Sequence, residues 1–86
     1  MAYNIVYHEH IEKDLKRIDA SHRKRVLDAV SAGLAVAPRQ AGEPLKGKYK
    51  GLWKMYVRPY RVIYRIDDRE ETVYVEKIGH RKDVYR

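Results

Sequence analysis

The chain contains no cysteine, which excludes a disulfide framework and any thiolate metal site and leaves stability to packing alone. Long apolar runs are also missing. The start, Met1-Ala2-Tyr3-Asn4-Ile5-Val6-Tyr7-His8, has no stretch of signal-peptide length, and nothing approaches the roughly 20 apolar residues of a membrane span, so a soluble, cytoplasmic protein without membrane contact is expected. There is no internal repeat and no low-complexity segment, which removes solenoids and disordered tails. With 86 residues there is no room for a second core, because so short a chain buries only roughly 60–65% of the surface its unfolded form exposes. Residues 1–86 are therefore one domain. His8, His10 and His22 lack the His-Glu-x-x-His spacing of a helical metal site, so they are expected to be exposed, with no metal and no cofactor.

The most informative absence is local. From Lys46 to Arg65 there is no acid, while Lys46, Lys48, Lys50, Lys54, Arg58, Arg61 and Arg65 alternate with Tyr49, Trp53, Tyr56, Tyr60 and Tyr64. The formal charge of +7 is unevenly spread, with a net of +1 in residues 1–43 and +6 in residues 44–86. A solvated charged face over an aromatic core would look similar at any single lysine, but a whole acid-free block suits phosphates and bases.

Periodicity sets the elements. Tyr3, Ile5, Val6 and Tyr7 make a short strand within Ala2–Tyr7. Ile11, Leu15 and Ile18 then recur at helical spacing over about three turns. Ser21 offers an N-cap to a second helix whose stripe of Val26, Leu27, Val30 and Leu34 runs to about Val36. Gly33 inside that helix signals close approach of another element or an early end. Pro38, Gly42 and Pro44 place a loop over Ala37–Lys46, and three strands follow at Tyr49–Val57, Tyr60–Asp67 and Thr72–Ile78. The expected class is α+β with order β-α-α-β-β-β, a helical hairpin packed on one face of a small, mainly antiparallel sheet.

Alternation assigns the faces. With Arg58-Pro59 at a hairpin tip, Val57 opposes Tyr60, Met55 opposes Val62 and Trp53 opposes Tyr64, and these six side chains face the helices. Lys54, Tyr56, Arg61 and Arg65 fall on the other face. Pro59 at the second loop position suits a two-residue turn poorly, so a longer loop is an alternative.

The last strand runs into Gly79-His80-Arg81-Lys82-Asp83-Val84-Tyr85-Arg86. The element order, Pro44-Leu45-Lys46-Gly47, the Leu52-Trp53-Lys54 and Tyr60-Arg61-Val62-Ile63-Tyr64 strands and the closing Gly79-His80-Arg81 resemble the RelE/ParE superfamily of toxins of type II toxin–antitoxin systems, over essentially the whole chain. A tail closing on Tyr85 is similar to the RelE branch, whose members have a microbial-ribonuclease-like fold and cleave mRNA on the ribosome. That resemblance implies a metal-independent endoribonuclease that inhibits translation, with a cognate antitoxin, the ribosome and mRNA as partners, and with operator DNA reached only through the antitoxin.

By the same resemblance, Arg61 and Arg81 hold the phosphate and stabilise its transition state, Lys54 lies near the scissile phosphate and Tyr85 positions or stacks on a nucleotide. His80 is the group whose unperturbed pKa of about 6.5 suits proton exchange at neutral pH. Lys46, Lys48, Lys50, Arg58, Arg65 and Lys82 complete the expected RNA-binding set. Tyr56 departs from the branch, since many members carry a second Lys or Arg there; it either stacks on a base, transfers a proton or shields the sheet. Two other functions fit the same fold: a ParE-like inhibitor of DNA gyrase, and a non-catalytic nucleic-acid-binding relic.

Overall fold

A computed structural model of the chain describes residues 2–81. Five strands, β1 (Asn4–Tyr7), β2 (Glu43–Pro44), β3 (Trp53–Val57), β4 (Tyr60–Asp67) and β5 (Thr72–His80), form one sheet in the order β1-β5-β4-β3-β2. All neighbours are antiparallel except β1 and β5, which run parallel. Helices α1 (Ile11–Lys16) and α2 (Ala20–Ala29), the latter continuing as a wider π turn over Val30–Leu34, cover one face. A single helical turn, α3 (Pro38–Ala41), leads into β2. The class is the expected α+β.

The buried set joins both layers. Ile11, Ile18, Val26, Val30 and Leu34 from the helical side meet Met55, Val57, Val62, Tyr64, Val73, Val75 and Ile78 from the sheet. Removal of this apolar surface from water, at about 25 cal/mol per Å², is what holds a chain without covalent cross-links together. Tyr64, fully buried, keeps its hydroxyl satisfied by donating to the Pro38 carbonyl at 2.6 Å. Desolvation pushes that phenol up to about 12.

Several boundaries differ from the sequence reading. The first helix is six residues rather than about three turns, and Ile18 reaches the core from the connection after it. Helix α2 starts at Ala20 with Asp19 before it; Ser21 is no N-cap and instead donates its hydroxyl to the Asp19 carboxylate, holding that carboxyl below its ordinary range. Gly33 lies in the π turn where α3 comes close, since a Cβ there would stand 3.2 Å from the Ala41 Cβ. The expected Ala37–Lys46 loop holds α3 and β2. Strand β3 starts at Trp53, four residues late, because Gly47 (φ 66°) and Gly51 (φ 98°) turn the chain before it. Strand β5 runs two residues past Ile78, to His80.

A polar tie closes the far end of the sheet. Asp68, in the β4–β5 turn, accepts from Arg39 at 2.6 and 3.0 Å and from the Tyr3 hydroxyl at 2.8 Å. These donors hold its carboxyl below the usual range, the Arg39 bonds contributing most.

Candidate functional site

The hairpin between β3 and β4 has the expected register: Val57↔Tyr60, Tyr56↔Arg61, Met55↔Val62, Lys54↔Ile63 and Trp53↔Tyr64. The loop is two residues, with the Arg58-Pro59 peptide cis, the arrangement of a turn with proline at its third position. Helix α2 grips this tip. Arg25 donates to the Arg58 carbonyl and lies 2.9 Å from His22 Nδ1, and the His22 ring packs 5.7 Å from Tyr60. The backbone N–H of Arg81 donates to the Pro59 carbonyl at 3.2 Å, which brings the end of β5 beside the tip.

A cavity of about 670 Å³ opens there. Tyr56, Arg58, Tyr60, Arg61, His80 and Arg81 line it with Pro59, and none of these is an acid. Arg61 stands between Tyr56 on β3 and Gly79 on β5, and Gly79 contributes no side chain to fill the space beside it. The Arg61 guanidinium lies 4.8 Å from the centre of the Tyr56 ring, with Lys54 Nζ 5.3 Å from the same ring. Arg61 Nε is buried without a hydrogen-bond partner among the described residues. Such a donor is costly to leave unpaired, and no ion pair among the described residues engages Arg58, Arg61 or Arg81. The cavity gathers three guanidinium groups with no carboxylate in its lining, and the exposed Tyr56 ring stands at its rim.

Strand β5 carries a bulge, because Ile63 pairs with Lys77 but Tyr64 pairs with Val75, leaving Glu76 as the extra residue. Val75 and Ile78 both reach the core as a result. His80 therefore sits opposite Tyr60, on the helix side of the sheet, with its ring edge-on to Tyr60 at 6.1 Å. It enters the cavity from the side opposite Arg61. Around the bulge, helix α1 supplies the missing partners: His10 Nε2 lies 2.6 Å from the Glu76 carbonyl and Asp14 accepts from the Ile78 N–H at 3.2 Å.

The family model described as the ParE toxin of type II toxin–antitoxin system, parDE, matches residues 5–85. The chain belongs to the RelE/ParE toxin superfamily. Among curated relatives, it is 29% identical to Toxin RelG of Mycobacterium tuberculosis over 86 residues, covering all of this chain and 99% of that protein, and 29% identical to Toxin RelE of the same organism over 84 residues, covering 98% and 87%. Among solved structures it is similar to the toxin–antitoxin complex RelBE2 from Mycobacterium tuberculosis, with a TM-score of 0.89 at 26% identity over 96% of this chain and 95% of that one. The isolated Escherichia coli RelE toxin shares the fold, with a TM-score of 0.75 at 22% identity, covering 92% and 84%.

Within this RelE/ParE toxin the expected site residues divide. Arg58, Arg61, His80, Arg81 and Tyr56 share one cavity, and Lys54 adjoins it across Tyr56. Lys46, Lys48 and Lys50 stand before β3, at the end of the strand remote from the tip, with Lys48 5.2 Å from the Tyr49 ring. Arg65 is four residues along β4 from Arg61, about 13 Å away, where it packs 4.2 Å from the Tyr74 ring and 3.8 Å from Glu76. Lys82 and Tyr85 lie outside the described residues. His8 is exposed as expected, but His10 and His22 are half-buried, held by the contacts to Glu76 and to Tyr60. Sequence reasoning put Tyr60 in the core and passed over Arg25. The spacing of Arg25 and His22 gave no signal for a contact more than thirty residues away. Among the described residues no group of His, Asp or Glu could hold a metal, and no helix is long and apolar enough to cross a membrane.

Proposed function

We propose that this toxin is an endoribonuclease that cuts mRNA on the ribosome in the cytoplasm, without a metal, and so blocks translation. The observation that carries this reading is the partnerless Arg61 Nε in an acid-free cavity that also holds Arg58, Arg81, His80 and two tyrosines. A lining without carboxylates is a poor home for a hard cation and a good one for a phosphodiester. In the reaction the ribose 2′-oxygen loses its proton to a base and bonds to phosphorus. The bond from phosphorus to the 5′-oxygen breaks, and that oxygen takes a proton from an acid. The products are a 2′,3′-cyclic phosphate and a free 5′-hydroxyl. Arg61 and Arg81 stabilise the charge that builds on the phosphoryl oxygens, and His80 exchanges the protons. Tyr56, flanked by two cations, stacks on a base, with Lys54 beside it near the scissile phosphate. The outlying Lys46, Lys48, Lys50 and Arg65 contribute long-range attraction, and Tyr85 and Lys82 take the nucleotide-positioning and RNA-binding roles of the tail.

The ribosome supplies what so few groups cannot, orientation of the mRNA for in-line attack. A cognate antitoxin covers the cationic cavity, with operator DNA bound through that antitoxin. The test is translation with and without ribosomes, mapping mRNA 5′ ends by primer extension. Ribosome-dependent cuts that fall about 10- to 100-fold in Arg81→Ala, the worth of one or two charge-assisted hydrogen bonds, support the reading. A folded protein that makes no cuts refutes it. The ParE description of the matching family favours a second reading, inhibition of DNA gyrase. Toxicity and gyrase inhibition surviving deletion of His80–Arg86 would establish that one.

A further inference from the structure

Beside the first cavity lies a second of about 250 Å³, between α1 and the end of β5. The two share Tyr60 and His80 as a common wall. The second exists because β1 ends at Tyr7, paired with Val75, so the edge of β5 beyond that point is open to α1. His10 and Asp14 draw that edge in at Glu76 and Ile78, and the chain beyond Ile78 leaves a hollow.

The charge presented in this hollow is positive. Asp14 lines it, but its side chain is only 12% exposed and is held by the Ile78 N–H at 3.2 Å and by His10 at 3.9 Å. Arg17 lines it from the helix side and Lys77, paired with Ile63 on the other face, from across the open edge of β5, and neither has a side-chain hydrogen bond or ion pair among the described residues. Ile18 and the ring of Tyr60 give an apolar back. The volume lies below the roughly 300–1,000 Å³ of sites that take a free-standing small ligand. A cationic rim, an aromatic wall and one-unit size, continuous with the first cavity, fit one link of a chain that passes through both.

We propose that the second cavity is a subsite for the RNA nucleotide next to the one cut, with Arg17 and Lys77 holding its phosphate and Tyr60 with Ile18 supporting its sugar or base. This rests on the ribonuclease reading and adds a specificity element to it: the contact is made equally in ground and transition states, so it sets affinity rather than the rate of the chemical step.

The probe is a fluorescent, fully 2′-O-methylated oligoribonucleotide, which binds but cannot be cut because it lacks the attacking hydroxyl. Its affinity is measured across a salt series for wild type, for Arg17→Ala/Lys77→Ala, and for Lys13→Ala/Lys16→Ala. The last removes the same charge from the exposed surface of α1, away from both cavities. For the cavity variant, the slope of log affinity against log salt should fall by about 0.7 for the lost phosphate, with affinity down about tenfold. The surface variant should stay within about twofold of wild type. Unchanged slopes in the cavity variant, an equal loss in the surface variant, or a wild type that does not bind would overturn the proposal. Because the probe is not cut, the expected pattern together with absent cleavage in translation would refute the ribonuclease reading while leaving the hollow as an RNA-binding site; the loss of the pattern with cleavage intact would overturn the subsite alone.

Discussion

Under the proposed function, Arg61→Met should separate activity from stability. Its Nε is buried with no hydrogen-bond partner among the described residues, and a buried donor left unpaired costs about 1–3 kcal/mol. Methionine keeps much of the apolar stem and deletes that donor. What it forfeits in the folded, RNA-free protein is the contact with the Tyr56 ring at 4.8 Å, worth about 0.5–1 kcal/mol at a partly exposed site. The balance is a gain of about 1 kcal/mol. For a domain of this size that raises the melting temperature by about 4–8 °C, read by circular dichroism without nucleic acid. Single-turnover cutting of ribosome-bound mRNA should fall at least about tenfold, since a charge-assisted phosphate contact is worth about 1.5–3 kcal/mol. Adding a polyanion should stabilise the wild type more than Arg61→Met, which keeps the other cations of the cavity and of the surface. A variant that melts below wild type by more than about 1 kcal/mol would show that Arg61 holds the sheet together, and the anion-site argument would fail.

Three further changes probe the frame around the cavity. Tyr64→Phe removes the hydroxyl that satisfies the Pro38 carbonyl and should cost about 1–2 kcal/mol at neutral pH in urea unfolding. Since the unfolded phenol ionises near 10 and the folded one only at about 12, the wild type loses up to about 2–3 kcal/mol as pH rises through that window; the two stability curves must converge there, and a constant gap would contradict the burial argument. Asp68 works in the opposite direction. Its carboxyl is held low by Arg39 and Tyr3, so its contribution is full above about pH 4 and is lost as the pH falls further, and Asp68→Asn should flatten the acid limb of stability against pH. Gly42→Ala would drive a Cβ into the Lys54 carbonyl and the Tyr64 hydroxyl; urea unfolding should show a loss of at least about 2 kcal/mol, because backbone cannot give way as a flexible side chain can.

The β3–β4 hairpin was legible because alternation over Trp53–Val57 and Tyr60–Tyr64 admits one register that buries the apolar set, and any one-residue slip would bury arginines. The helical stripe was legible for the same reason, since Val26, Val30 and Leu34 recur at a spacing that only a helix places on one side. What escaped were features decided between distant segments. Strand β2 is two residues long and exists only through its pairing with Trp53 and Lys54, and α3 is a single turn stabilised by packing near Gly33 rather than by its own propensity. The hold of Arg25 on the Arg58 carbonyl is of the same kind.

The bulge at Glu76 was not read from the sequence, and it decides which side of β5 His80 and Arg81 occupy. Alternation counted forward from Val73 and Val75 puts residue 77 inward and residue 80 outward, beside Arg61; the signal against that count was Ile78, apolar and three residues after Val75 rather than two. With the bulge, Arg81 follows Gly79 onto the face of Arg61 while His80 turns to Tyr60. In the proposed mechanism, a phosphate held by the two arginines would be approached by the imidazole from the opposite side of the sheet end, past the rim formed by the Arg58-Pro59 tip. A single extra residue puts the imidazole of His80 and the guanidinium of Arg81, the proposed proton-transfer and charge-stabilising groups, on opposite sides of one strand, and the contacts that hold this residue's neighbourhood come from His10 and Asp14 at helix α1.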